Sequence, residues 1–157
     1  MSGSTSGGRT RRVGFEEFWP VWREVLRALE IPRTAALVEG ERDRHALREL
    51  GVTTPIVLVH RGQALAGVAG DTAGSFRRVV VLTDWDPAGG RLARRLRALL
   101  EDGRIEVDVD LRRRLGHSLR GEVVHLEGLA GWARRRAERE GLLLEEWIAD
   151  PDRSPTG

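Results

Sequence analysis

Two aspartates in the stretch VVVLTDWDPAGG are the residues whose type and spacing most directly suggest chemistry. Asp84 and Asp86 follow an apolar run and precede Pro87 and two glycines. If the backbone is extended there, acids two positions apart lie on the same side of the chain. Carboxylate oxygens are the ligands that Mg²⁺ prefers. The pair therefore predicts a cation site, unless one of them only caps the helix that Pro87 can begin.

A third acid, Glu39, ends the apolar stretch TAALV in the same way. The carboxyl ends of parallel strands meet at one edge of a sheet, where ligands bind. If the two strands are neighbours, three carboxylates share a crevice and need a cation or a shared proton. We expect Glu39, Asp84 and Asp86 to form one acidic cluster that binds Mg²⁺, with Mn²⁺ as an alternative. The simpler interpretation is a helix cap and an isolated surface acid.

Apolar stretches alternate with helical patterns along the chain. We expect strands in TAALVEG, PIVLVH, RRVVVLT and RIEVDVD, and a further short strand in EVVHLEG that leads into a helix. GFEEFWPVWREVLRALEI has helical periodicity, and Pro20 either begins or kinks that helix. The alternation predicts an α/β fold, with a mainly parallel central sheet covered by helices on both faces.

The domain organisation expected from the sequence is simple. Residues 1–12 are expected to be a flexible tail, 13–33 an N-terminal helix packed on the domain, 34–148 a single domain with a C-terminal helical extension, and 149–157 a second flexible tail. We expect a cytoplasmic protein without a membrane segment, because no apolar run is long enough to span a bilayer and residues 1–10 are small and polar.

Missing residue types exclude several classes of protein. The 157 residues include no Cys, which excludes disulfides, thiolate zinc sites and cysteine nucleophiles. There is no Lys, which excludes a P-loop and Schiff-base chemistry. All 26 basic residues are therefore Arg, although the net charge is only +2.

Local clusters of arginine suggest phosphate as a partner, since guanidinium binds phosphate bidentately. Arg91, Arg94 and Arg95 follow the aspartates on a predicted helix whose N-terminus favours an anion. Arg61 follows the second predicted strand. We expect these residues to contact nucleic acid, either RNA or DNA, although arginine on a helix is also common as a solvated face paired with Glu.

The stretches LVEGERDRHAL and VVVLTDWDPAGG together resemble the Toprim domain of bacterial primases, topoisomerases, nucleases and 5S-rRNA maturases. The resemblance covers roughly residues 34–110 and is greatest to the small, free-standing archaeal Toprim proteins. It implies a Rossmann-like Toprim fold, Mg²⁺ held by Asp84 and Asp86, and Glu39 as acid/base or metal ligand. Asp43 matches a further acid of primase-like members, and Gly62 matches a family glycine.

The chain differs from the Toprim family in ways that exclude some of the family's activities. The chain has no Tyr, so it cannot form the tyrosyl link of a topoisomerase by itself. We expect Mg²⁺-dependent hydrolysis or nucleotidyl transfer at a phosphodiester, with possible partner proteins of DNA or RNA processing. The alternative is a non-catalytic module that binds nucleic acid or a partner. Haloacid-dehalogenase phosphatases and response-regulator receivers also use strand-end acids, but both fit poorly because they also use a Lys.

Two further residues near these motifs have open roles. His60 ends the second predicted strand and is either an acid/base or structural, whereas the other histidines are expected to be structural. Trp85 is expected to pack, with base stacking as the alternative.

Overall fold

The computed structural model describes residues 12–59 and 63–154. Its centre is a four-stranded sheet with the order β2-β1-β3-β4, in which every neighbouring pair is parallel. The strands are β1 (Thr34–Val38), β2 (Ile56–Leu58), β3 (Arg78–Val81) and β4 (Glu106–Asp108). The α/β architecture predicted from the alternation of strands and helices is therefore confirmed.

Helices cover both faces of the sheet. They are α1 (Phe15–Glu30), α2 (Glu41–Glu49), α3 (Leu65–Ser75), α4 (Pro87–Asp102), α5 (Asp110–Leu119), α6 (Leu129–Arg139) and α7 (Leu144–Ala149), and a 3₁₀ turn (Leu126–Gly128) precedes α6. Ala36 and Val38 pack into the core shared with α1, α2, α5, α6 and α7. Leu37, between them, packs into the core under α3 and α4. Adjacent residues of one strand thus join opposite layers, as the pleat requires.

Helix α1 carries the aromatic part of the core. It runs through Pro20, which lies inside the helix instead of beginning it. Phe18 stacks on Trp22 with ring centroids 6.2 Å apart. The indole Nε1 of Trp22 donates to the Leu50 carbonyl at 3.0 Å, which satisfies its buried polar group. The aromatic residues of this helix therefore pack as core.

Residues 110–125 differ from the sequence expectation. Helix α5 was not predicted, although Leu111, Leu115 and Leu119 are buried at a helical spacing of four. The strand expected at 122–125 does not form. Val124 instead accepts a hydrogen bond from the Trp85 backbone N–H at 2.8 Å, beyond the end of β3, so this segment joins the strand-end loop and not the sheet.

The C-terminal segment packs against α1. Trp147 of α7 is buried and contacts the rings of Phe15 and Trp19. Ala149 ends α7, and the Pro151 carbonyl accepts a hydrogen bond from Trp19 Nε1 at 2.9 Å. Asp152 forms an ion pair with Arg27. The flexibility predicted for residues 149–157 stays a prediction, and residues 1–11 of the predicted N-terminal tail lie outside the described residues. Across the described residues, none of the helices has the length and apolar character needed to cross a membrane.

Glu122 anchors the start of the segment between α5 and α6 through hydrogen bonds to two other parts of the chain. Its Oε2 accepts the Val13 backbone N–H at 2.6 Å, and its Oε1 accepts Trp132 Nε1 at 3.1 Å. Arg136 lies 3.4 Å from the same Oε1. Burial acts to raise the pKa of Glu122, but these donors outweigh it and hold the pKa below its ordinary value of 4.5. The ionised form is therefore the one that stabilises the fold.

We expect Glu122→Ala to lower the free energy of unfolding by about 2 kcal/mol, because two buried donors lose their acceptor. Urea denaturation at neutral pH measures this change. Glu138→Ala is the matched control, since Glu138 is exposed on α6, and should change stability by less than about 0.5 kcal/mol.

The same pair of variants has a predicted pH dependence. A carboxyl with a lowered folded pKa stabilises fully above its unfolded pKa, and this contribution is lost as the pH falls through the folded pKa. The stability difference between wild type and Glu122→Ala should therefore shrink below the ordinary value of 4.5. A difference that stays constant across this range would contradict the assignment.

Candidate metal centre

The acids that follow β1 and β3 meet because these two strands are neighbours. Leu37 of β1 lies in register with Val81 of β3, so both strands end at the same edge. Beyond that edge, the Oε2 of Glu39 accepts a hydrogen bond from the Asp84 backbone N–H at 2.8 Å. This contact brings Glu39 to the Asp84 backbone, and the acidic cluster of Glu39, Asp84 and Asp86 stays a prediction.

A close backbone approach fixes the turn between β3 and α4. A side chain on Gly89 would place its Cβ 2.0 Å from the Asp84 carbonyl oxygen, which no structure tolerates without a backbone shift. Thr83 Oγ1 donates to the Gly89 carbonyl at 2.8 Å, and Asp86 Oδ1 accepts the Gly89 N–H at 2.7 Å. Asp86 is thus the N-cap of α4, as the simpler sequence interpretation held for one of the acids.

Each aspartate uses one carboxylate oxygen on the backbone and turns the other towards the same histidine. Asp84 Oδ1 accepts the Leu126 N–H at 2.8 Å. The Oδ2 atoms of Asp84 and Asp86 lie 3.2 and 3.7 Å from His125 Nδ1. One ligand atom from each of Asp84, Asp86 and His125 falls within 4.8 Å of the other two. The hydrogen bond and charge of Asp84, followed by the charges of Asp86 and Glu127, raise the pKa of His125.

This arrangement suits a divalent cation. The Oδ1 atoms are anchored by backbone N–H groups, so both Oδ2 atoms are held in position without a bound ion. Two negative oxygens facing one point repel each other unless a positive charge lies between them. The oxygen donors fit the Mg²⁺ that the resemblance implies. His125 was expected to be structural. His125 lies at the end of a segment that was expected to be a strand, just as Glu39 lies at the end of a predicted strand. That position was the sequence signal that could have identified His125 as part of the site.

Asp43 lies near the group but has a structural contact of its own. Its Oδ2 accepts the Gly40 N–H at 3.0 Å at the start of α2, and the residue is only 7% exposed. Burial, and then the charge of Asp84, raise the pKa of Asp43 more than the Gly40 hydrogen bond lowers it. Asp43 is outside the group of three close ligand atoms found among the described residues. Its role as a metal ligand, like that of Glu39, stays a prediction.

Arg112 is a further residue of this site that sequence reasoning missed. Its Nε donates to the Thr83 carbonyl at 2.9 Å and its Nη2 to the Asp84 carbonyl at 2.5 Å, so a cation braces the strand-end turn. Burial lowers the pKa of Arg112, while the charges of Glu39, Asp84 and Asp86 oppose that shift. Within the run of three arginines, nothing in the sequence distinguishes Arg112 from its neighbours Arg113 and Arg114, which pair with Asp110 and Glu24.

Trp85 packs against α5, as predicted. Its Nε1 donates to the Arg112 carbonyl at 2.8 Å. A Cβ on Gly116 would lie 2.4 Å from Trp85 Cδ1, so the ring fills the space that the glycine leaves. The indole therefore holds α5, and with it Arg112, against the strand-end turn.

The predicted phosphate-binding arginines lie on the exposed side of α4. Arg91, Arg94 and Arg95 are exposed and form no ion pair within the described ranges. Arg94 Nη1 and Arg112 Nη2 lie 3.8 and 4.0 Å from the point where a Cβ on Gly90 would be. Both guanidinium groups thus lie near Gly90 in the first turn of α4. Arg61, together with His60 and Gly62, lies outside the described residues.

Comparison with known proteins identifies relatives across most of the chain. A UPF0292 protein of Thermococcus gammatolerans is 36% identical over 117 residues, which cover 74% of this chain and 86% of the relative. A UPF0292 protein of Thermococcus kodakarensis is 33% identical over 131 residues, covering 83% of this chain and 97% of the relative. The chain belongs to the UPF0292 family. No family model matches it.

A solved structure is also similar to this chain in its fold. A putative protein from Aquifex aeolicus superimposes with a TM-score of 0.56 at 25% identity, covering 68% of this chain and 93% of the other. This similarity supports the Rossmann-like α/β arrangement of parallel strands and flanking helices.

In this UPF0292 chain, the adjacent residues Gly89 and Gly90 should respond in opposite directions to the same substitution. Gly89→Ala should destabilise the protein by about 2 kcal/mol or more, because the added methyl overlaps the Asp84 backbone. Gly90→Ala meets nothing closer than 3.8 Å and should be neutral or add up to about 1 kcal/mol through helix propensity. Thermal and urea unfolding measure both. Equal effects would show that the close approach at Gly89 is not a constraint.

Proposed function

We propose that this protein is a metal-dependent enzyme of the Toprim type that acts on phosphodiesters of RNA or DNA, as a nuclease or a nucleotidyl transferase. The observation that carries the proposal is that the Oδ2 atoms of Asp84 and Asp86 both lie within 3.7 Å of one atom, His125 Nδ1, while Glu39 accepts the backbone N–H of Asp84. The proposed cofactor is Mg²⁺ or Mn²⁺, and the proposed setting is the cytoplasm.

Each acid has a distinct role in this proposal. Asp84 and Asp86 hold the cation through the oxygens that are turned away from the backbone. A bound Mg²⁺ would polarise a phosphate oxygen and stabilise the charge that develops on it. Glu39, fixed by the Asp84 N–H, accepts a proton from the attacking water or hydroxyl group or completes the set of metal ligands.

The arginines supply the binding surface for the phosphate backbone. The guanidinium groups of Arg94 and Arg112 both lie near Gly90 in the first turn of α4, where the helix dipole also favours an anion. Like charges at close range are stabilised by an anion between them. Arg91, Arg95 and Arg61 extend this surface in the proposal. Arg112 has two hydrogen bonds to carbonyl oxygens and therefore reaches the site from a fixed position.

A non-catalytic module is the second candidate function, and a specific observation favours it. Asp86 caps α4 and Asp84 accepts the Leu126 N–H, so both aspartates contribute to the fold without any metal. In that case the acids hold the loops in place and the arginines bind nucleic acid or a partner protein. Cleavage measurements separate the two functions.

We expect purified protein to cleave structured RNA or DNA in Mg²⁺ or Mn²⁺ and to lose this activity in EDTA. Glu39→Gln should reduce cleavage by about 100-fold or more, because Gln keeps an acceptor for the Asp84 N–H but cannot take up the proton. Glu16→Gln, an exposed change on α1, is the control and should leave cleavage unchanged. Nucleic-acid binding by Glu39→Gln should stay intact. An absence of cleavage across RNA and DNA panels in Mn²⁺ would favour the non-catalytic module.

Binding to nucleic acid should weaken steeply between about 50 and 200 mM salt, because phosphate contacts release counterions. Arg94→Ala should weaken binding uniformly across sequences and reduce the log–log salt slope by about 1. Arg97→Ala is the matched control on the same helix, since Arg97 pairs with Glu101 at 3.2 Å. Fluorescence anisotropy over a salt series measures both. Equal slopes for wild type and Arg94→Ala would remove Arg94 from the binding surface.

A further inference from the structure

The two residues that flank His125 are hydrogen-bonded to Trp85 and Asp84. The preceding residue, Val124, accepts the Trp85 N–H at 2.8 Å. The following residue, Leu126, donates its N–H to Asp84 Oδ1 at 2.8 Å. These bonds hold the Cα of His125 beside the aspartates independently of its side chain. The backbone position of His125 is thus part of the construction of this site, and from it the imidazole lies within 3.7 Å of both Oδ2 atoms.

Two of the three donor spacings match those between ligands of a single ion, and all three are within 4.8 Å. Two ligands at about 2.1 Å from one ion are roughly 3.0 Å apart at a right angle and roughly 4.2 Å apart when opposite. The distances from His125 Nδ1 to the Oδ2 atoms of Asp84 and Asp86 are 3.2 and 3.7 Å, within this interval. The imidazole is half-exposed, with 58% of its side-chain surface accessible, so water can fill the remaining coordination positions.

We infer that His125 is a protein ligand of the metal held by Asp84 and Asp86, and that it gives the site a preference for a first-row transition ion such as Mn²⁺ over Mg²⁺. The inference deepens the metal site on which the proposed function rests. Mg²⁺ prefers oxygen ligands and gives up its water reluctantly, so an imidazole adds little to its binding. Transition ions bind imidazole nitrogen well, and Mn²⁺ also accepts the carboxylate oxygens.

The test is a measurement of metal binding to the free protein, without nucleic acid. Titration with Mn²⁺, followed by the loss of its free-ion electron paramagnetic resonance signal, gives the affinity, and competition with Mg²⁺ gives the preference. Electron spin-echo envelope modulation of bound Mn²⁺ detects a directly coordinated nitrogen in the wild-type protein, so this readout needs no variant. His125→Ala is compared with His117→Ala, an exposed histidine of α5.

We expect tighter binding of Mn²⁺ than of Mg²⁺, and a nitrogen coupling in the wild type that is absent from His125→Ala. His125→Ala should weaken Mn²⁺ binding by at least about tenfold and Mg²⁺ binding by less than about threefold. His117→Ala should behave like the wild type. Both His variants should keep the wild-type melting temperature in EDTA, because the backbone bonds around His125 do not use its side chain.

The outcomes separate this inference from the proposed function. Mn²⁺ binding that requires Asp84, but shows no nitrogen coupling and is unaffected by His125→Ala, overturns the inference and leaves the proposed function standing. In that case His125 is a counter-ion that the metal displaces. Loss of Mn²⁺ binding in His125→Ala, in a protein that cleaves no nucleic acid, supports the inference and counts against the proposed enzyme. Failure of the wild type to bind Mn²⁺ overturns the inference outright.

Discussion

The contact between Gly89 and the Asp84 backbone is the constraint on which the rest of the site depends. Because no side chain separates them, the first turn of α4 packs directly on the backbone that follows β3. This close start puts the Asp86 carboxylate in reach of the Gly89 N–H and carries Arg94 over the same turn as the aspartates. A wider turn would move the helix N-terminus and its arginines away from the carboxylates. The glycine therefore couples the acidic and basic halves of the site.

In each aspartate of the site, one carboxylate oxygen has a structural role and the other is available for chemistry. One oxygen of each aspartate accepts a backbone N–H, which orients the other oxygen away from that bond. Such preorganisation is the usual means by which a protein reduces the cost of binding an ion. Arg112 adds a cation that braces two carbonyl groups below the acids. The crowding of carboxylates is thus balanced partly by the protein itself.

The sequence predicted the parts of this structure that depend on local pattern. The four paired strands and the meeting of Glu39 with Asp84 follow from strand periodicity and from the rule that parallel strands end at one edge. Arg112 and His125 were missed because their importance arises only when α5 and the following segment fold back onto the strand end. Residues 122–125 have a composition typical of a strand, but the backbone of this segment hydrogen-bonds to Trp85 and not to a strand of the sheet. Helix α5 was missed because it is short and its apolar face consists of only three leucines, spaced four residues apart among polar residues.

The anchoring of both ends of the described chain has a consequence for how the protein should be handled. Val13 is bonded to Glu122, three positions before His125, so the N-terminal side of the described chain is joined to the segment that carries this histidine. Asp152, near the other end, pairs with Arg27, which lies about 18 Å along α1 from Phe15 at 1.5 Å per residue. A polyhistidine tag at either end would add imidazoles that bind transition ions themselves. Metal titrations therefore require protein from which such a tag has been removed.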